Sequence, residues 1–224
     1  MKQLSLDISA PPPPTFANFS VGRNLELWAL LQAIAAADSN ERFIYLWGEP
    51  GCGKTHLLQA LAAAAVGNVV SLNRHATIPL ISQIRGDELV VVDDVHQLGA
   101  AVQPALFHAY NRLRSATGRL IASGATAPAQ LKLLPDLKSR LSWGLAFQVH
   151  SLNDEEKFTV LEQHALARGF VLGPEVLRYI SSHYHRDVPA LMGLLQALDR
   201  YSLETKRAIT VPLLKEVIDN PVEP

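Results

Sequence analysis

The sequence predicts an α/β domain with a parallel sheet flanked by helices, followed by a small all-helical domain. Residues 48–55 fit the phosphate-loop pattern G-x-x-x-x-G-K-[ST] without a mismatch, between an apolar strand pattern and a helix pattern. A second apolar run, Leu89–Val92, ends in two carboxylates, as expected at the ligand edge of an open α/β sheet. From residue 151 onward the pattern is purely helical.

The composition limits the class of protein. The 224-residue chain is 48% hydrophobic, so it can bury a core, and its formal net charge of −1 argues against a general nucleic-acid or membrane-surface binder. We find neither an apolar run that could span a bilayer nor the apolar core of a signal peptide. The single cysteine excludes an internal disulfide. Together these features predict a cytoplasmic protein that does not bind membranes.

The phosphate loop is the predicted nucleotide site. Its glycines permit backbone conformations that turn successive N–H groups toward phosphate oxygens, and the N-terminus of the following helix adds partial positive charge. Lys54 is predicted to reach the β- and γ-phosphates, and the Thr55 hydroxyl to hold Mg²⁺. The predicted nucleotide contacts are Gly48, Glu49, Pro50, Gly51, Cys52, Gly53, Lys54, Thr55 and His56. The alternative is a glycine turn that binds nothing. Cys52 is interpreted as a source of a backbone N–H, with a redox switch as the alternative.

The first fourteen residues are predicted to form an extended tail. The four prolines at 11–14 lack N–H donors and resist helix formation. Leu4, Leu6 and Ile8 alternate along the chain before them, so one face of an extended peptide is apolar. The tail is therefore a candidate docking peptide, with a disordered terminus as the alternative.

Residues 15–24 are predicted to wall the base of the nucleotide. They contain Phe16 and Phe19 and a glycine turn, directly before the first predicted helix at 25–37. Taken alone, the segment is a loop with two buried rings. Its place beside a phosphate loop favours the nucleotide interpretation.

Polar side chains follow the predicted strands at 89–94 and 119–123. Asp93 is predicted to hold Mg²⁺ or its water, and Asp94 to orient the attacking water. Ser123 is predicted beside Asp93, where it could sense the γ-phosphate; an ordinary strand-end serine is the alternative. Arg140 lies in residues 133–141, which are predicted to be a loop leading into a short helix, and it is either a solvated charge or an arginine finger offered to a neighbouring chain. Further strands are predicted at 43–47, 68–72 and 147–149, and further helices at 56–65, 78–84 and 104–114.

The C-terminal region is predicted to be a small helical bundle. Asn153, with Glu156 three residues later, predicts a helix N-terminal cap, and Gly169 ends that helix. Pro174 begins a second helix and Asp187 caps a third that runs to about residue 206; a short last helix follows near 210–212.

Several spaced motifs resemble the DnaA-like AAA+ ATPases, the family of the bacterial replication initiator. They are the phosphate loop and its helix at 51–58, the segment Phe16-x-Asn18-Phe19-x-Val21-Gly22, the acidic strand end at 92–95, and the arginine-containing segment at 137–145. The resemblance implies an AAA+ nucleotide-binding domain at 15–150 that holds ADP or ATP with Mg²⁺, and a helical lid domain at 151–224. It assigns Phe16, Phe19, Val21, Gly22 and Arg23 to the nucleotide base, and Arg140 to an arginine finger.

Two features of the chain resemble the regulatory inactivators within that family. The sequence ends at Pro224, just after the predicted lid, and no Arg/Lys-rich helix replaces the initiator's DNA-reading domain. Direct sequence-specific DNA binding is therefore not expected. Gln3, Leu4, Ser5 and Leu6 resemble the peptide by which partners dock on the DNA polymerase III sliding clamp. Asp7 and Ile8 follow, where that peptide usually continues with an aromatic residue or leucine.

A third feature concerns hydrolysis. Pro189 stands where the family usually has a sensor arginine, and Arg186 is an alternative source of that charge from a different direction. Proline is tolerated in a first helical turn, so the fold is expected to be kept. The positive charge of the arginine is expected to be lost. This difference predicts weak or absent intrinsic ATPase activity.

The resemblance implies a negative regulator of DNA replication initiation. Its tail binds the clamp, and Arg140 stimulates hydrolysis of ATP bound to a DnaA-type initiator. One alternative is a self-acting AAA+ ATPase or loader that remodels a DNA-bound partner, which the intact Lys54, Thr55, Asp93 and Asp94 favour. A non-enzymatic, DNA-tethered adaptor is another. An arginine finger needs a partner site, and a homodimer or a hetero-complex satisfies that need equally.

Overall fold

The computed structural model describes residues 13–183, 188–205 and 207–219. The chain divides into two compact units, with the boundary between Ser151 and Leu152. The predicted clamp-docking residues Gln3, Leu4, Ser5 and Leu6 lie outside the described residues, as do Arg186 and Asp187.

The unit that begins at Pro14 is a parallel sheet with helices on both faces. Its helices are α1 Leu25–Ala35, α2 Lys54–Ala64, α3 Ile78–Ser82, α4 Gln103–Ser115 and α5 Pro135–Leu141; its strands are β1 Phe43–Trp47, β2 Val69–Leu72, β3 Leu89–Val92, β4 Arg119–Gly124 and β5 Leu145–Gln148. The strand order is β2-β3-β4-β1-β5, and every neighbouring pair is parallel. The predicted α/β domain is confirmed. Because all strands run the same way, their carboxyl ends meet at one edge of the sheet.

Successive side chains of a strand point to opposite faces of the sheet, so the strands contribute to two cores, one on each face. Ile44 and Leu46 of β1 are buried in a cluster with Leu31 of α1 and Leu57 of α2. Tyr45, between them, is buried in the opposite cluster, with apolar side chains of α4 and α5. The sheet is therefore covered on both faces, as parallel sheets generally are.

The unit that begins at Leu152 contains four described helices, α6 Asp154–Ala167, α7 Pro174–His183, α8 Val188–Thr205 and α9 Val211–Asp219. The predicted capping box is present: the Glu156 backbone N–H donates to Asn153 Oδ1 at 2.8 Å, and the Asn153 N–H donates to Glu156 Oε2 at 2.7 Å. Leucines such as Leu161, Leu195 and Leu214 fill a common core. The predicted helical domain after the α/β domain is confirmed. None of the helices in the described ranges is long and apolar enough to cross a membrane.

Some predicted boundaries differ from the structure because single residues leave the regular backbone. The strand predicted to reach Asp94 ends at Val92, since Asp94 adopts a left-handed conformation with φ 49°. The helix predicted to reach residue 37 ends at Ala35, and Ala37 has φ 58°. The last strand begins at Leu145, two residues earlier than predicted.

Candidate nucleotide site and arginine face

The phosphate loop joins β1 to α2 at the carboxyl edge of the sheet. Gly51 and Gly53 have φ values of 77° and 104°, a region that favours glycine. A Cβ on Gly48 would lie 2.5 Å from the carbonyl oxygen of Val149, so glycine is also required where the loop passes the end of β5. These glycines allow the tight loop that brings backbone N–H groups to the N-terminus of α2, where the helix dipole favours an anion.

Lys54 holds a positive charge inside this loop. Its ammonium donates hydrogen bonds to the carbonyl oxygens of Gly48 and Glu49, both at 2.9 Å, and lies 3.6 Å from Cys52 Sγ. The residue is only 8% exposed. Within the described residues it has no carboxylate within ion-pair distance. A buried, unneutralised ammonium is costly, so the site is suited to an anionic ligand.

Thr55, Asp93 and Ser123 meet beside the loop. The Thr55 hydroxyl donates to Asp93 Oδ2 at 2.8 Å, and the Ser123 hydroxyl donates to Asp93 Oδ1 at 2.6 Å. Val92 of β3 pairs with Ala122 of β4, and Asp93 and Ser123 are the residues that directly follow this pair. The register of the two strands therefore brings Asp93 and Ser123 together. A hydroxyl and a carboxylate side by side are oxygen ligands of the kind that Mg²⁺ prefers. The residues present therefore fit a phosphate-bound Mg²⁺.

Ser123 is fully buried, and its hydroxyl both donates and accepts a hydrogen bond. It donates its one proton to Asp93 and accepts from the backbone N–H of Asp94 at 2.8 Å. The geometry makes Ser123 a link between the two acidic residues. Its predicted role as a γ-phosphate sensor remains a prediction.

The Asp94 carboxylate contacts residues of the turn that follows β3. Oδ2 accepts from Gln97 Nε2 at 3.0 Å, and Oδ1 lies 3.9 Å from His96 Nδ1. Burial, and next the negative charge of Asp94, raise the pKa of Tyr45, which therefore stays protonated and donates to the carbonyl oxygen of Thr126 at 2.9 Å. The role of Asp94 in orienting water also remains a prediction.

A cleft of about 280 Å³ opens beside these acidic residues. It is lined by Asn73, Arg74, His75, Asp93, Asp94 and Gln97. The residues that follow β2 were not singled out in the sequence. Their position next to a predicted strand was the available signal, because β2 ends at the same edge of the sheet as β3.

The predicted base-wall segment packs on the start of α2. A Cβ on Gly53 would lie 2.8 Å from the Phe19 ring, so the ring covers the last loop glycine. The same ring lies 5.4 Å from the His56 imidazole, whose Nε2 is 2.9 Å from the carbonyl oxygen of Thr15. The structure thus brings Phe19 and His56 to the phosphate loop.

The other residues of the segment hold its backbone rather than the loop. The Phe16 carbonyl oxygen accepts from the Trp28 indole N–H at 3.2 Å, and the Val21 carbonyl oxygen accepts from the Asn24 N–H at 2.8 Å. Gly22 has φ 47°, and Arg23 is exposed. Their predicted contacts with a nucleotide base remain predictions.

Asn24 makes a contact that was not predicted from the sequence. This buried side chain donates to the carbonyl oxygen of His150 at 2.9 Å and accepts from the His150 N–H at 2.7 Å. The pair fastens the base-wall segment to the chain just after β5. An asparagine at a helix start usually indicates a cap, so the sequence did not indicate this long-range contact.

Arg140, which is half-buried, belongs to a separate group of residues. Its Nε donates to Asn111 Oδ1 at 3.0 Å, and its guanidinium carbon lies 5.4 Å from the centre of the Phe107 ring and 4.1 Å from the centre of the Trp143 ring. Arg114 contacts the same indole, at 4.5 Å. We call Asn111, Arg114, Arg140 and Trp143 the arginine face. The structure does not bring these residues into the Thr55–Asp93–Ser123 cluster.

The comparisons with known proteins match both units. Residues 20–161 match the AAA ATPase domain family, and residues 154–218 match the family described as Hda, lid domain.

Solved structures share the fold. Domain III of the Thermotoga maritima replication initiation protein DnaA is similar over 96% of this chain and 100% of that one, with 22% identity and a TM-score of 0.80. AMPPCP-bound DnaA from Aquifex aeolicus is similar over 88% of this chain and 68% of that one, with 22% identity and a TM-score of 0.71. The Thermotoga maritima RuvB branch migration motor is similar over 87% and 67%, with 17% identity and a TM-score of 0.68. The predicted AAA+ domain with a helical lid is confirmed.

Proposed function

Because this chain belongs to the AAA ATPase family and is a DnaA-related, Hda-like protein, we propose that it inhibits DNA replication initiation by stimulating hydrolysis of ATP on a DnaA-type initiator. One observation carries the proposal. In the arginine face, Arg114 and Trp143 are exposed and Arg140 is half-buried, and its described contacts include none with the chain's own phosphate-loop cluster, as is expected of a residue that acts on a nucleotide held by another chain.

The chain's own site is proposed to bind ADP or ATP with Mg²⁺. Lys54 and the N-terminus of α2 supply positive charge for the phosphates, and Thr55 and Asp93 supply oxygen ligands for the metal. Thr55 and Asp93 would hold the Mg²⁺, which would supply positive charge to offset the negative charge of the phosphates. The AMPPCP-bound DnaA relative supports a nucleotide in this fold.

Arg140 is proposed to complete the initiator's ATP site. Its hydrogen bond to Asn111 uses Nε, and within the described residues its terminal nitrogens have no carboxylate within 4.0 Å. Those nitrogens are therefore available for phosphate oxygens. A guanidinium placed where negative charge develops in the transition state stabilises that charge more than the ground state, which is how it accelerates hydrolysis.

The N-terminal tail is proposed to dock on the DNA polymerase III sliding clamp through Gln3, Leu4, Ser5 and Leu6. The clamp would place the protein near the DNA where the initiator acts. A chain with Gln3→Ala and Leu4→Ala should lose clamp binding in a pull-down, whereas Ser9→Ala, outside the peptide, should keep it. Equal recovery of both variants with the clamp would count against the docking role.

A second candidate function, a self-acting ATPase or loader, is favoured by one observation. Thr55, Asp93 and Ser123 form a complete hydrogen-bonded cluster at the phosphate loop, as hydrolysis of the chain's own nucleotide would require. Pro189 in the first turn of α8 weighs against it, because it supplies no charge where the DnaA-like family has a sensor arginine.

The direct test measures ATP hydrolysis by a DnaA-type initiator with DNA-loaded clamp, in the presence and absence of this protein. We expect stimulation that requires both the protein and the loaded clamp, together with little turnover by the protein alone. Strong turnover by the protein alone and an unchanged initiator would instead establish the self-acting ATPase.

A further inference from the structure

Trp143 is an exposed aromatic residue with an unusual charge environment. Its side chain is on a residue that is 54% exposed, yet two guanidinium carbons lie within 4.5 Å of its ring centre, those of Arg114 and Arg140. An indole that is 54% exposed gains only part of the free energy of full burial, whereas cations are attracted to the face of its ring. Two arginines on one ring therefore indicate a role for the indole in holding charge.

The chain fixes the position of this indole through its neighbours. Leu141, just before the turn, is buried in the sheet-side core, and the Trp143 N–H donates to the Arg140 carbonyl oxygen at 3.2 Å. A Cβ on Gly144 would lie 2.0 Å from the carbonyl oxygen of Phe43, so the backbone directly after Trp143 is pressed against β1. The backbone that carries the Trp143 ring is therefore closely packed against β1, beside Arg140.

Arg140 contacts Asn111, the Trp143 ring and, at the longer distance of 5.4 Å, the Phe107 ring, and the first two contacts differ in what they restrain. Asn111 accepts from Nε and fixes one point of the guanidinium, about which the group could still rotate. The Trp143 ring, at 4.1 Å, provides a surface on which the plane of the guanidinium can rest. A hydrogen bond and an aromatic surface together define both the place and the orientation of the terminal nitrogens.

We propose that Trp143 is a positioning residue for Arg140, and that its ring face holds the guanidinium in the orientation that reaches a phosphate on a partner chain. The inference rests on the proposed function, in which Arg140 acts on ATP bound to a DnaA-type initiator. Arg114 shares the ring and adds a second positive charge to the same surface, so it contributes to attraction of the anionic partner site rather than to the orientation of Arg140.

The test compares Trp143→Phe with Trp143→Leu in the full chain. Both substitutions remove the indole, but only phenylalanine keeps an aromatic face for the cation. With initiator ATP and DNA-loaded clamp, we expect kcat for Trp143→Leu to fall about tenfold and kcat for Trp143→Phe to stay within about threefold of wild type. The KM for the initiator should change less than kcat.

Two further variants separate the outcomes. Arg140→Ala reports on the proposed function: if it stimulates the initiator normally, the function itself is wrong. If Arg140→Ala is inactive while the leucine and phenylalanine variants behave alike, only the positioning role is overturned. Arg114→Ala should raise KM and leave kcat within about twofold, because Arg140 keeps its place on the ring. A loss of kcat equal to that of Trp143→Leu would contradict the proposal.

Thermal unfolding checks that each variant is folded. Because Trp143 is exposed, we expect the midpoints of the two Trp143 variants to agree with each other, so that a difference in kcat between them reports on the ring face and not on stability.

Discussion

The phosphate-loop site and the arginine face hold their charged groups in opposite ways. Lys54 is buried and bonded to the carbonyl oxygens of its own loop, and Asp93 accepts two hydroxyl donors beside it. Arg140 instead rests on an exposed indole and gives one hydrogen bond to a side chain. The first arrangement suits an anion enclosed by the loop. The second is the one that we propose presents a cation to a partner chain.

The largest expected effect comes from removal of the Arg140 charge. Arg140→Ala should lower stimulation of initiator ATP hydrolysis about 10³-fold, the lower end of the range for arginine fingers, and leave the chain's own nucleotide affinity unchanged. Arg85→Ala is a matched control, because Arg85 is an exposed arginine whose ion-pair partners are Asp87 and Glu88, neither of which belongs to the arginine face. A loss of nucleotide affinity in Arg140→Ala would mean that the two regions are not separate.

Removal of the Lys54 charge should instead affect nucleotide binding by the chain itself. Lys54→Ala should weaken nucleotide binding by the chain itself about 100-fold, measured by titration with labelled ADP, because the phosphates lose their buried cation. Lys132→Ala, at an exposed position, should bind as the wild type does. Unchanged binding in Lys54→Ala would remove the basis for a phosphate site in this loop.

A smaller effect is expected at the proposed metal ligand. Asp93→Asn keeps the side-chain shape but loses the charge, so Mg²⁺ should improve nucleotide affinity about tenfold less than in wild type. The measurement is nucleotide affinity with Mg²⁺ and with EDTA. If Mg²⁺ helps both proteins equally, Asp93 serves only to bond Thr55 and Ser123.

The smallest expected effect is structural and compares two glycines. Gly53 and Gly67 have φ values of 104° and 102°, but only Gly53 lies under the Phe19 ring. Gly67→Ala should therefore cost about 1 kcal/mol of unfolding free energy from backbone strain alone, and Gly53→Ala about 1 kcal/mol more because the ring must shift. Urea denaturation measures both.

The nucleotide affinity of these two variants sharpens the test. Only Gly53→Ala should bind more weakly, since Gly67 lies outside the phosphate loop. Equal stability of the two variants would show that the Phe19 contact carries no energy.

The sequence predicted the parts of the molecule that local pattern determines. The phosphate loop, the strand that leads to Asp93 and the capping box of Asn153 each depend on residues close together in the chain. The meeting of Asp93 with Ser123 was also predicted, because parallel strands end at one edge. The local motifs follow from the spacing of residue types along the chain, and the meeting of Asp93 with Ser123 follows from the shared direction of the strands.

The remaining contacts could not be predicted, because they depend on how distant segments are placed on each other. Asn24 meets His150 across 126 positions, and Arg114 meets Trp143 only because α4 packs beside α5. For the role that we propose for Trp143, the sequence offered no signal beyond its place in the arginine-containing segment at 137–145, three residues after Arg140. Side-chain partners of this kind become visible only when the elements are assembled.

One measurement tests most directly whether this chain acts on a partner's nucleotide. The initiator is loaded with radiolabelled ATP, unlabelled nucleotide is added in excess, and DNA-loaded clamp is mixed with wild-type protein or with Arg140→Ala. Labelled phosphate is followed over a single turnover. We expect rapid release of labelled phosphate with wild type and slow release with Arg140→Ala. Equal, slow release with both proteins, together with hydrolysis of the unlabelled pool that disappears in Lys54→Ala, would contradict it.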